Sequence, residues 1–184
     1  MEDLSLHMLD ILENSLVAEA RRIDLRVLED PESDTLRLEI RDDGKGMDVE
    51  TLERAADPFF STRKTRRFGL GLSMLSEAAK ATGGEMEIES FPGKGTRVRA
   101  VFHCGHIDMK PLGDVPLTLL TLIVGHPEIE LHYHHAIGRH VFSFSTAGER
   151  EGEPSFPPKL LQIEERLRKG LAELEEKARI DHLS

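Results

Sequence analysis

The 184-residue sequence predicts a protein of mixed α and β structure, of the α+β class, in which helices and two-stranded hairpins take turns along the chain. Two observations carry this. Apolar residues recur at three- and four-residue spacing in the opening, middle and closing stretches, which is helical periodicity. In six short runs they alternate strictly with polar residues, and these runs come in pairs joined by turn formers. A composition of 39% hydrophobic and 32% charged residues allows one folded domain with a core plus an appendage. The net charge of -10 opposes nonspecific binding of nucleic acid. A single cysteine precludes an internal disulfide, and no run approaches the roughly 20 apolar residues of a membrane span. The acidic, amphipathic N-terminus does not read as a signal peptide. A cytoplasmic protein with no membrane and no nucleic-acid partner is therefore expected.

The elements follow in order. Leu4, Met8, Leu9, Ile11, Leu12, Leu16 and Val17 predict a first helix over about residues 3 to 20. IDLRVLE and TLRLEIRD, separated by the turn-rich stretch 30–34, predict an antiparallel hairpin. A short helix, VETLERAA, with Asp48 as N-cap, is stopped by Pro58. DPFFSTRKTRRFG has no period and gathers Arg63, Lys64, Arg66 and Arg67 in five positions, so it is read as a basic loop. Leu70 to Thr82 is helical and closed by Gly83 and Gly84, and EMEIESF and TRVRAVFHC form a second hairpin. Residues 1–106 are read as one unit and 107–184 as an extension. In the extension, 108–115 is a linker, and Pro116 opens a short apolar helix. A third hairpin turns near Ile137-Gly138, and a polar, Pro-rich connector precedes a final helix striped by Leu160, Ile163, Leu167, Leu171 and Leu174.

Four segments of the first hundred residues together suggest a nucleotide pocket. Asp10 and Asn14 stand at i, i+4 and so share one helix face, and hard oxygen ligands of this kind suit Mg²⁺ beside phosphates. Alone, such a pair is ordinarily just a solvated face. Asp42-Asp43-Gly44-Lys45-Gly46 directly follows a strand, where a carboxylate can accept from an exocyclic amine and glycines admit a flat ring, although the same residues also make ordinary turns. The basic loop runs into Gly69-Leu70-Gly71 and a helix, whose N-terminal amides and dipole favour phosphate. Gly93-Lys94-Gly95-Thr96 reads by itself as a hairpin turn. Neither a G-x-x-x-x-G-K-[ST] loop nor a complete dinucleotide fingerprint is present.

In this order the segments resemble the N box, first glycine box, F box, second glycine box and final G-x-G-T of the Bergerat-fold ATPases, the group of gyrase, heat-shock chaperones, histidine kinases and MutL. DPFFSTRK followed by GLGLSM is similar to the ATP lid of histidine kinases, and LENSLVAEARRIDLRV to the corresponding stretch of MutL-like proteins. The resemblance spans about residues 4 to 103. It implies an α/β sandwich, a mixed sheet backed by helices, that binds ATP and Mg²⁺. It implies that Asn14 ligates Mg²⁺, Asp42 takes the adenine amine, and Gly44 and Gly46 line the base pocket. Gly69, Leu70 and Gly71 would meet phosphates with Arg63 or Lys64, and Thr96 would lie behind the adenine. There are two departures. Arg67 replaces a lid glycine, and Asp10 stands where hydrolytic members carry a general-base Glu, one methylene longer.

Only three residues precede the N-box helix, so a complete sensor kinase with its phosphoacceptor helix is not expected. The histidines of the extension are read as core or surface residues, because alternation puts His132 and His134 on one face and His135 on the other. Three functions remain: a stand-alone kinase transferring the γ-phosphate to a partner protein, an ATPase clamp closed by homodimerisation through the C-terminal leucine stripe, and a non-catalytic ATP sensor. The kinase is preferred, because the lid is of kinase type and phosphoryl transfer depends more on charge neutralisation than on a perfect base. The extension bears a fainter resemblance to the tails of ATP-binding proteins encoded near iron-only hydrogenase genes.

Overall fold

A computed structural model describes residues 3–55, 70–147 and 158–182. Helix α1 (Leu4–Val17) is capped by Asp3, whose carboxylate accepts from the Leu6 amide at 3.2 Å. It ends earlier than the periodicity suggests, because Ala18 closes the last turn and Glu19 takes φ 60°, reversing the chain towards the sheet. Strands β1 (Arg22–Asp30) and β2 (Thr35–Asp42) form the expected antiparallel hairpin. Helix α2 (Val49–Ala55) starts on Asp48, which accepts from the Thr51 amide at 2.8 Å. Helix α3 (Leu70–Ala81) ends at Gly83, at φ +77°, and leads into the hairpin of β3 (Glu85–Phe91) and β4 (Gly95–His103). Then follow α4 (Val115–Gly125), capped by Asp114, and the hairpin of β5 (Glu130–Ile137) and β6 (His140–Ser145). The last element is α5 (Pro158–His182). The basic loop at 57–69 and most of the polar connector, 148–157, lie outside the described residues.

The six strands make one mixed sheet in the order β3-β4-β2-β1-β5-β6, antiparallel except for the parallel pair β1 and β5. The sheet thus runs straight across the boundary drawn in the sequence at 106. Register stacks the inward residues: Leu25 faces Ile40 on one side and Tyr133 on the other, and Val27 faces Leu38 and His135. Ile23, Leu25, Val27, Leu38, Ile40 and Phe102 are almost wholly buried beneath α1, α3, α4 and α5. Each such side chain stabilises the fold by about 2 kcal/mol, so a one-residue slip, which would turn a whole strand's apolar set to solvent, is excluded. The result is a two-layer α+β sandwich, as the resemblance implies.

The C-terminal leucine stripe has a different use from the one read in the sequence. Ile163, Leu167 and Leu174 are buried in the chain's own core, with Leu160 and Leu171 packed partly against it. Gly170 brings α5 so close to β6 that a Cβ there would stand 2.0 Å from the Phe142 ring. The stripe is covered within the chain and is not a free dimer surface.

Candidate functional site

The candidate residues converge where the end of β2 meets α1, the start of α3 and the β3–β4 turn. Asp42 is 7% exposed and anchors the arrangement. Its Oδ2 accepts from the Ser15 hydroxyl at 2.8 Å, and its Oδ1 from the amides of Gly44 at 2.9 Å and Thr96 at 3.2 Å. A carboxylate offers about four acceptor positions, and the protein fills three of them. The remaining position on a buried anion suits a donor such as an exocyclic amine, so the donor set fits an adenine base. Thr96 shares a hydrogen bond with Ser90 at 2.9 Å, and the Ser90 hydroxyl also accepts from the Met47 amide at 2.8 Å. This ties the loop after β2 to the turn before β4.

Two glycines permit close approaches that a side chain would block. Gly46 adopts φ +65°, and a Cβ on it would fall 2.0 Å from the Phe91 carbonyl oxygen. Gly71 lets the first turn of α3 press on α1, since its Cβ would stand 2.6 Å from the Asp10 Cβ. Asp10 is exposed, and Asn14, one turn further along the same face, is half-buried. The residue after Asn14 is Ser15, so the helix that carries Asp10 and Asn14 is bonded directly to Asp42. Asp10, Asn14, Asp42, Gly44, Gly46, Gly71 and Thr96 therefore belong to one region, and Leu70 opens α3 beside it. Arg63, Lys64 and Gly69 lie outside the described residues. An oxygen pair of this kind, one member exposed and one half-buried on a single helix face, fits a cation that keeps most of its waters, as Mg²⁺ does.

Sequence reasoning missed Ser15 and Ser90. A signal existed in both cases: Ser15 continues the buried Met8-Ile11-Leu12 stripe, and Ser90 falls in phase with Met86 and Ile88 on the inward face of β3. A hydroxyl at a core position needs a partner, and here the partner is the site. Among the histidines, His7 is buried on α1 with its Nε2 3.1 Å from the Lys110 amine. His135 is buried between Tyr133, which meets its Nδ1 at 2.8 Å, and Glu29, which meets its Nε2 at 2.6 Å. His132 and His134 lie on the opposite, open face of the sheet. Among the described residues no group of three or more His, Cys, Asp or Glu side chains is gathered as for a metal ion, and no helix is long and apolar enough to cross a membrane.

Comparison with known proteins places this geometry in context. The sequence profile described as "Histidine kinase-, DNA gyrase B-, and HSP90-like ATPase" matches residues 2–106. The chain is 36% identical over 105 residues to the sensor kinase CckA of Brucella abortus, covering 56% of this chain and 11% of that protein. It is 38% identical over 71 residues to the anti-sigma F factor of Thermoanaerobacter sp., covering 38% of this chain and 46% of that one. The chain thus spans less than half the length of these curated relatives. Among solved structures, the N-terminal domain of a DNA repair protein superposes with a TM-score of 0.57 at 15% identity, covering 79% of this chain and 52% of that chain. That coverage exceeds the profile-matched part, so the shared fold reaches into the extension.

Proposed function

Because the chain belongs to the family of histidine kinase-, DNA gyrase B- and HSP90-like ATPases, we propose that it is a regulatory kinase that binds Mg-ATP and transfers the γ-phosphate to a partner protein. The observation that carries this reading is the buried Asp42 carboxylate, with three acceptor positions filled by Ser15, Gly44 and Thr96 and one left for the adenine amine. Gly44 and Gly46 line the base, Thr96 stands behind it, and Gly69, Leu70 and Gly71 receive the phosphates together with Arg63 or Lys64. Asn14 would hold the Mg²⁺, which would supply neutralisation of phosphate charge. The acceptor's hydroxyl oxygen or imidazole nitrogen attacks the γ-phosphorus, the bond to the bridging oxygen breaks, and ADP leaves. Asp10 takes the acceptor's proton. Its carboxylate is one methylene shorter than the Glu of hydrolytic relatives, which favours a positioned protein acceptor over a loosely held water. Sensor kinases and an anti-sigma factor among the relatives support a protein acceptor.

The test incubates the purified chain with γ-labelled ATP and fractions of cell extract. A labelled partner protein is expected with the wild type and absent with Asn14→Ala. Ordinary hydrolysis with no labelled protein in any fraction would replace the kinase by an ATPase, and binding of Mg-ATP with neither outcome would leave a nucleotide sensor.

A further inference from the structure

The open face of the sheet is charged, and its two halves are treated differently. On the β3-β4-β2 side the carboxylates of β2 and β3 are drawn into a lattice: Arg97 meets Glu39 at 2.9 Å and Glu89 at 3.2 Å, and Arg99 meets Glu39 at 3.4 Å and Glu87 at 3.5 Å. On the β1-β5-β6 side, Arg26, His134 and Ser143 are register partners, so they form one row across three strands. Neighbouring strands lie about 5 Å apart, which puts adjacent members of the row within reach of one small ligand. The carboxylate opposite Arg26 in β2 is Glu39, and it is engaged by Arg97 and Arg99. Arg26 consequently has no carboxylate within 4 Å and no hydrogen-bond partner among the described residues.

The next row has its charges accounted for. Asp24 is held by Arg22 through two hydrogen bonds of 3.1 and 3.0 Å, and His132 by Glu130 at 2.5 Å. His134 bonds to the Ser143 hydroxyl through Nδ1 at 3.1 Å, which leaves its Nε2 unpartnered among the described residues. Arg166, from α5, stands over the Phe144 ring at 5.3 Å and borders the groove from the helix-covered side of the sheet. These residues line a groove of about 700 Å³. Burial first, then the nearby Arg26 charge, holds the His134 imidazole below its usual pKa.

We propose that the row Arg26-His134-Ser143 is a second anion site, built for one phosphate-class dianion, on the open face of the sheet. The donor set argues for a tetrahedral oxyanion: a Ser143 hydroxyl that donates to His134 Nδ1 fixes the ring proton on Nε2, so the Arg26 guanidinium and the Nε2–H stand side by side as open donors for phosphate oxygens. A polyanion is opposed by the chain's net charge of -10, so a single dianion is the fitting class. That dianion is either free phosphate or a phosphorylated side chain of a protein.

The full chain is titrated in the presence of saturating Mg-ATP with inorganic phosphate, and separately with a short phosphoserine peptide and its unphosphorylated form. The His134 ring protons are followed by NMR. At least one phosphate-bearing probe is expected to move these resonances saturably. Arg26→Ala is expected to weaken that response about tenfold, and Ser143→Ala more modestly. A response to the peptide alone assigns the source as a phosphoprotein; a response to both assigns the bare dianion. If neither probe moves His134, or if Arg26→Ala leaves the response unchanged, the site does not exist. Arg26 is exposed and unpaired among the described residues, so its replacement leaves the fold intact, as far-ultraviolet circular dichroism would verify.

Discussion

Asp42 does two things at once, and they can be separated. Its carboxylate is the acceptor for Ser15, Gly44 and Thr96 as well as the group proposed to read the base. Replacing it by alanine strands three donors in a buried place, which costs about 3 kcal/mol. Asp42→Ala is therefore expected to lower the urea midpoint and abolish the heat of ATP titration. Ser15→Ala removes one donor and keeps the anion, so it is expected to cost about 1 kcal/mol while ATP binding persists more weakly. A Ser15→Ala protein that bound ATP no better than Asp42→Ala would show that Ser15 itself is indispensable. The second residue-scale prediction concerns Tyr133, which is buried and bonded to His135. Burial, reinforced by the Glu29 charge, pushes its phenol pKa far above the ordinary 10.0. A folded-state pKa raised above the unfolded one means that the contribution is intact below pH 10 and is lost as pH rises beyond it. Denaturant melts between pH 9 and 11.5 are expected to show stability falling above 10, and Tyr133→Phe is expected to flatten that fall.

At the scale of elements, α5 shows how a single hydrogen decides a packing distance. Gly170→Ala would ordinarily gain about 1 kcal/mol in a helix. Here the new Cβ meets the Phe142 ring at 2.0 Å, and that ring is itself packed edge-on against buried Tyr133 at 6.2 Å. Overpacking of about 1–3 kcal/mol outweighs the propensity gain, so thermal melting is expected to fall rather than rise. The elements themselves were legible, because a helix or hairpin announces itself through local period and turn chemistry. Asp48, Gly83 and the turn near Gly138 all stand where the sequence puts them. What was not legible was which hairpin lies beside which. The parallel pairing of β1 with β5 joins Leu25 to Tyr133 across more than a hundred residues, and no local pattern encodes it. The same holds within the site: Asp42 and Asn14 are prominent in the sequence, whereas the Ser15 bond that connects them exists only once α1 is folded onto the sheet.

For the whole molecule, the decisive question is whether the family-matched segment is a domain without the rest. The profile ends at residue 106, yet β1, which lies in the middle of the sheet, has one of its two neighbours, β5, beyond that point. The amide of Leu4, at the start of the helix bearing Asp10 and Asn14, donates to the Pro111 carbonyl at 2.9 Å. Removing everything after 106 would bare the edge of β1 that pairs with β5 and take away Val115, Leu119, Leu122, Leu131, Tyr133 and Leu167, each almost fully buried. At about 2 kcal/mol apiece this loss is comparable with the roughly 5–15 kcal/mol by which whole domains are stable. A fragment of residues 1–106 is therefore expected to unfold without a cooperative transition, or to aggregate, and to give no ATP heat. A sigmoidal melt with ATP binding equal to that of the full chain would show instead that the sheet tolerates a bare β1 edge. In that event residues 107–182 would act on the proposed nucleotide site from outside rather than hold it together.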